Sequence, residues 1–155
     1  MGTDSEMLAA VREAFASVER PEHFTNFRHC DECAEHDETL RGRDLETLSH
    51  DDIGSGSWDP ITMCTPDAFA YWMPALARLA LDEPHSHWGW FGPQLFFQLE
   101  RDGPRNERWA FCTPAQRAAV RRLLEHIVET RAKLIDDHWN ARNEVLRAWQ
   151  VWAED

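Results

Sequence analysis

A chain of 155 residues is the length of one compact domain, which buries roughly 70% of its unfolded surface and folds without disulfides. Its 43% hydrophobic content and eight tryptophans exclude a disordered polymer, and no apolar run approaches the ~18 residues of a membrane span. With 28 acidic residues against 16 Lys plus Arg, the net charge of −12 repels phosphate backbones and anionic lipid, which argues against nucleic-acid and membrane partners. It fits either a soluble surface or a face that meets a basic protein.

Asp4 or Ser5 can cap a first helix in which Met7, Leu8, Val11, Phe15 and Val18 recur at helical spacing, and Pro21 ends it. Asp31 to Leu40 suits a short, strongly charged helix that Gly42 stops, and a further turn is expected over Asp44 to Ser49. Gly54, Ser55, Gly56 and Ser57 read as the most flexible and exposed loop, followed by a short extended piece from Ile61 to Cys64. Thr65 and Pro66 then open a core-facing helix carrying Phe69, Trp72, Met73, Leu76, Leu79 and Ala80. Within it, Pro74 predicts a kink or break near Ala70 and Tyr71. Another helix starts near Pro93 and carries Leu95, Phe96, Phe97 and Leu99.

Thr113 and Gln116 have the spacing of a capping box, which fixes a helix start at Pro114. No Gly or Pro follows, and Val120, Leu123, Leu124, Ile127, Leu134, Ile135, Val145, Leu146, Trp149 and Trp152 keep helical spacing. One long helix, or two helices broken near Asp136 to Asn143, satisfies this pattern. The two Cys-Thr-Pro runs, at Cys64 and Cys112, reflect a common helix opening rather than a duplication. The sum is a mainly α fold: a compact single-domain helical bundle over residues 1–155 with a few short extended segments.

Chemistry concentrates in one place. His29, Cys30, Cys33 and His36 lie within eight residues, and a Cys-x-x-Cys turn presents two thiolates to one zinc ion at about 2.3 Å. If helix begins at or just after Cys30, Cys33 and His36 share a face, and a fourth ligand comes from His29, His50, His23 or Cys64, in that order. Asp31, Glu32, Glu35, Asp37 and Glu38 add negative potential or orient a ligand histidine. Residues 22–42 are therefore the candidate metal-binding segment. Competing with this is a bland reading, in which the two cysteines are buried thiols and the histidines surface residues of a charged helix. Dithiol redox chemistry is a third reading, but the strand-rich context in which it usually occurs is missing.

The acidic Met1 to Glu6 stretch, where a signal peptide would be basic, makes a cytoplasmic protein with thiols or metal ligands the expectation. His85 and His87 sit in an aromatic loop, and His126, His138 and Cys112 read as ordinary surface or satisfied interior residues. The tryptophans are explained by core packing or a homodimer interface. No phosphate loop, His-Glu-x-x-His, nucleophile elbow or dinucleotide fingerprint occurs.

The stretches CTPDAFAYWMPALARLAL and FCTPAQRAAVRRLLEHI resemble a family of small bacterial helical proteins defined as a domain of unknown function. RPEHFTNFRHCDECAEHDETL resembles a variant with a His-Cys-x-x-Cys-x-x-His block. Together these stretches cover about two-thirds of the chain. The resemblance implies a helical bacterial protein without an assigned activity, and because the wider family lacks the cysteines, no catalytic residue follows from it. The functional expectation is a zinc-binding structural or interaction protein using Cys30, Cys33, His36 and a fourth ligand, first among them His29. The alternatives are a metal-dependent enzyme with an open coordination position, Glu35 or Asp37 serving as base, and a metal-free acidic inhibitor or immunity-type protein.

Overall fold

A computed structural model of the chain describes residues 2–154. The protein is mainly α-helical, and among the described residues extended pairing is limited to two isolated antiparallel bridges, Thr25 with Cys64 and His85 with Gly89. The helices are α1 (Asp4–Phe15), α2 (Asp31–Arg41), α3 (His50–Ile53), α4 (Pro66–Leu81), α5 (Gly92–Glu100), α6 (Glu107–Phe111), α7 (Pro114–Thr130), α8 (Ala132–Asp137) and α9 (Ala141–Trp152).

Helix α4 is the axis of the fold. Its residues are apolar almost all round, and Phe69, Trp72, Met73, Leu76 and Leu79 are fully buried, each contributing roughly 1.5–3 kcal/mol by leaving water. Around it, α1, α5 and α6 pack directly on α4, α7 packs on α1, and α9 closes the bundle against α5 and α7. The stripe Met7, Val11 and Phe15 carries α1 onto this core, with Leu8 half-buried beside it. Trp152 anchors α9 by burying its ring and donating its indole N–H to the Leu99 carbonyl at 2.8 Å.

Local signals explain most helix ends. The Thr113–Gln116 capping box forms as the sequence predicts, and Ser49 with Asp52 builds a second one that starts α3. Thr3, one residue before the expected Asp4 or Ser5, caps α1. Asp4 is thereby left free to reach α7, where it accepts hydrogen bonds from Arg131 at 2.7 and 2.8 Å and pairs with His126 Nε2 at 2.7 Å. The Arg131 hydrogen bond, with help from His126, holds the Asp4 carboxyl well below its usual range. Arg131 also donates to the Leu81 carbonyl at the end of α4, so one guanidinium ties together α1, α4 and the α7–α8 break.

Several expectations need correction. The Ile61 to Cys64 piece is a 3-10 helix spanning Pro60–Met63, and only Cys64 takes part in a bridge. The Gly54–Ser57 loop is exposed at Gly56 and Ser57 and half-buried at Gly54 and Ser55, and a 3-10 turn covers Gly56–Trp58 between the buried Ile53 and Asp59. Helix α4 runs unbroken through Pro74, because its apolar faces are held by packing on several sides. The C-terminal pattern breaks twice. One break is the expected one near Asn140, which adopts a left-handed φ of 64°. The other, at Arg131, has no sequence breaker and follows from the Asp4 and Leu81 bonds. Trp72, Trp90 and Trp152 are buried, but Trp58, Trp88 and Trp139 stand exposed.

Beneath α5 and α6 lies a buried polar cluster. Asp59 Oδ1 accepts the Ile61 N–H at 2.9 Å and Oδ2 accepts from Gln94 and Gln98 at 3.2 and 3.4 Å. Burial pushes the Asp59 carboxyl up to about 6, outweighing the hydrogen bonds from Ile61, Gln94 and Gln98 and the Arg108 charge that favour its ionised form. Because this folded value lies above the ordinary 3.8, the folded state holds the proton more tightly than the unfolded chain. That contribution to stability is full below about pH 4 and is lost as pH rises through about 6, a difference of roughly 3 kcal/mol at 1.36 kcal/mol per unit. Asp59→Asn cannot titrate, so urea unfolding at about pH 5 and about pH 7, between which about 1.3 kcal/mol of this difference falls, is expected to show that loss in the parent and not in the variant. An unchanged pH slope in the variant would contradict it.

Candidate functional site

The segment before α2 is fixed both to α4 and to α2 itself. Phe24 is fully buried against Tyr71 and Trp72 of α4. The Thr65 N–H donates to the Phe24 carbonyl at 3.0 Å, beside the Thr25–Cys64 bridge. Asp37, buried on α2, accepts the Phe24 N–H at 2.6 Å and the Thr25 N–H at 3.4 Å on Oδ1, while Oδ2 meets His23 Nδ1 at 2.7 Å. Thr25 Oγ1 completes the attachment by donating to the Cys33 carbonyl at 2.7 Å.

On this support the chain turns at Asn26–His29 and enters α2 with Cys30 as N-cap. Cys30 is extended (φ −164°), and its sulfur accepts the Cys33 N–H at 3.5 Å, the position an oxygen cap normally occupies. The three-residue spacing brings Cys33 Sγ to 3.4 Å from Cys30 Sγ, and His29 Nδ1 lies 3.9 Å from Cys33 Sγ. His29, Cys30 and Cys33 thus place one ligand atom each within 4.8 Å of one another, a group that can hold a metal ion. Cys33 is buried, whereas His29 and Cys30 face solvent.

The two thiols differ. The Cys33 backbone N–H, then the His29 side chain, lower the Cys30 pKa, while burial and the neighbouring Cys30 sulfur raise that of Cys33. A cation between them would favour both thiolates, since its charge offsets the repulsion that separates the pair.

His36 lies outside this group. It is only 2% exposed, its ring packs on Trp58 with centroids 4.7 Å apart, and Nε2 faces Glu32 at 3.6 Å. Burial lowers its pKa, disfavouring the imidazolium against the opposing pull of Glu32. The other proposed fourth ligands are engaged elsewhere. His23 pairs with Asp37 and stacks on Phe27 at 3.8 Å, and His50 pairs with Asp82 at 3.1 Å. Cys64 is buried, with its thiol pushed up to about 12 by desolvation. Asp37 cannot serve as the suggested base, since both of its oxygens are committed to the Phe24–Thr25 backbone and His23. Sequence reasoning gave Thr25 no role. Its only local signal was a β-branched hydroxyl residue just before the cysteine turn.

No family model, curated protein or solved structure matches the chain.

Proposed function

We propose that the protein is a zinc-binding structural or interaction protein whose ion is held by His29, Cys30 and Cys33. The observation that carries this reading is the convergence of two sulfurs and one imidazole nitrogen within 4.8 Å at the start of α2. Two thiolates and an imidazole are the donor set that zinc takes in tetrahedral sites. The segment bearing them is already docked on α4 through Phe24 and Asp37, so the ion would tether the remaining free turn, Asn26–Cys30, to α2. Water or a side chain from a partner completes the tetrahedron on the exposed side, and a basic partner suits the net charge of −12.

Three protein ligands with a fourth position open also describe a catalytic zinc. Of the two bases expected for that reading, Asp37 is committed to the Phe24–Thr25 backbone and His23.

Competition between the protein and a chromophoric zinc chelator tests the proposal. One zinc per chain is expected, with affinity falling roughly 100-fold or more in Cys33→Ser and roughly 10-fold in His29→Ala, in keeping with loss of a direct ligand. His36→Gln is expected to leave affinity within a few-fold. Equal binding by the parent and Cys33→Ser would remove the proposal.

A further inference from the structure

We infer that Cys30 and Cys33 form a reversible dithiol–disulfide couple in which the exposed Cys30 sulfur is the attacking atom and the buried Cys33 sulfur resolves the mixed disulfide. The regulatory consequence, release of the cation when the couple oxidises, rests on the zinc reading above; the couple itself needs only the two sulfurs.

Three observations carry it. The sulfurs are 3.4 Å apart, van der Waals contact, so forming a bond of about 2.05 Å requires only a small side-chain rotation. Their access is unequal: Cys30 is exposed and Cys33 is 6% exposed, so an incoming disulfide reaches one sulfur and not the other. Cys30 sits at the N-cap of an eleven-residue helix and accepts a backbone N–H there, the setting in which a departing or attacking sulfur is best stabilised. Cys64 and Cys112 are buried as Cys33 is, which leaves Cys30 as the thiol open to solvent.

With a small-molecule disulfide such as oxidised glutathione as oxidant, the electrons balance in two steps. The Cys30 thiolate attacks one glutathione sulfur, forming a protein–glutathione bond and expelling one glutathione thiolate. Cys33 then attacks Cys30 Sγ, forming the Cys30–Cys33 bond and expelling the second. The protein loses two electrons and two protons, and one oxidised glutathione becomes two reduced molecules. Both sulfurs are then bonded to each other and cease to be thiolate ligands, so a cation held by them leaves.

The test is incubation of the metal-free full chain with oxidised glutathione, followed by peptide mapping by mass spectrometry. The expected product has lost two hydrogens, with Cys30 bonded to Cys33, and reduced dithiothreitol restores both thiols. In Cys33→Ser a stable glutathione adduct accumulates on Cys30. In Cys30→Ser the modification of Cys33 is at least roughly tenfold slower, because an incoming disulfide reaches Cys30 and not the buried Cys33. A wild-type product that stops at the glutathione adduct, or one with both thiols intact, overturns the couple, as does equal modification in the two variants. A parallel sample with one equivalent of zinc separates the two claims. Protection by zinc supports both, whereas disulfide formation that zinc leaves unaltered keeps the couple and removes the metal reading.

Discussion

Replacing Arg108 by Met is expected to destabilise the protein by about 3–5 kcal/mol, the largest effect of any single substitution outside the apolar core. Its guanidinium is buried. It donates to the Gln98 carbonyl at 3.1 Å, the Gln98 side-chain oxygen at 2.8 Å and the Ile61 carbonyl at 2.8 Å, and it lies over the Phe69 ring at 4.2 Å. Burial lowers its pKa to about 10, still far above neutrality, so the charge stays and must be matched by acceptors. Met fills most of the volume but leaves both Gln98 oxygens without the Arg108 donor, the Ile61 carbonyl with only the Cys64 N–H, and Asp59 without its nearby cation. Arg108→Lys is expected to recover only part of the loss, because one ammonium cannot span acceptors on two elements as the planar fork does. Urea unfolding of the parent and both variants decides the matter, and a loss below about 1 kcal/mol for Met would show that the cluster does not depend on the charge.

The second large effect is expected at Asp37. Asp37→Ala removes the acceptor of the buried Phe24 N–H and the partner of His23, at a cost of about 3 kcal/mol for a charge-assisted bond and an orphaned donor. Asp37→Asn keeps an acceptor oxygen for Phe24 and is expected to cost about 1 kcal/mol. Because Asp37 holds the strand-like approach to the cysteine turn, the Ala variant is also expected to bind zinc roughly 10-fold more weakly, although it touches no ligand atom. Equal zinc affinity in Asp37→Ala and the parent would show that the turn is positioned by α2 alone.

Much of the helical frame was legible, for identifiable reasons. Thr113 with Gln116 and Thr65 with Pro66 are local signals that no tertiary contact needed to override. The spacing of Cys30 and Cys33 also fixed their convergence, since an N-cap and the third helical residue always lie close together. His36 misled because helical spacing shows that two residues share a face but not what covers that face; here Trp58, twenty-two residues away, covers it. His29, ranked first among the fourth ligands, does converge with Cys30 and Cys33. Asp59 and Arg108 passed unnoticed because their partners, Gln94, Gln98 and Ile61, are distant in sequence. The Asp59–Pro60 step was the one available hint, as Asp before Pro often caps a tight helical turn. The break at Arg131 was invisible for the same reason: it is imposed by Asp4, at the other end of the chain.

Anomalous diffraction at the zinc edge, from crystals of the zinc-loaded chain, addresses the cation directly. A single peak is expected about 2.3 Å from Cys30 Sγ and Cys33 Sγ and about 2.0–2.1 Å from His29 Nδ1, with His36 still stacked on Trp58. A peak bonded to other side chains, or sulfurs turned apart with no peak between them, would contradict the account.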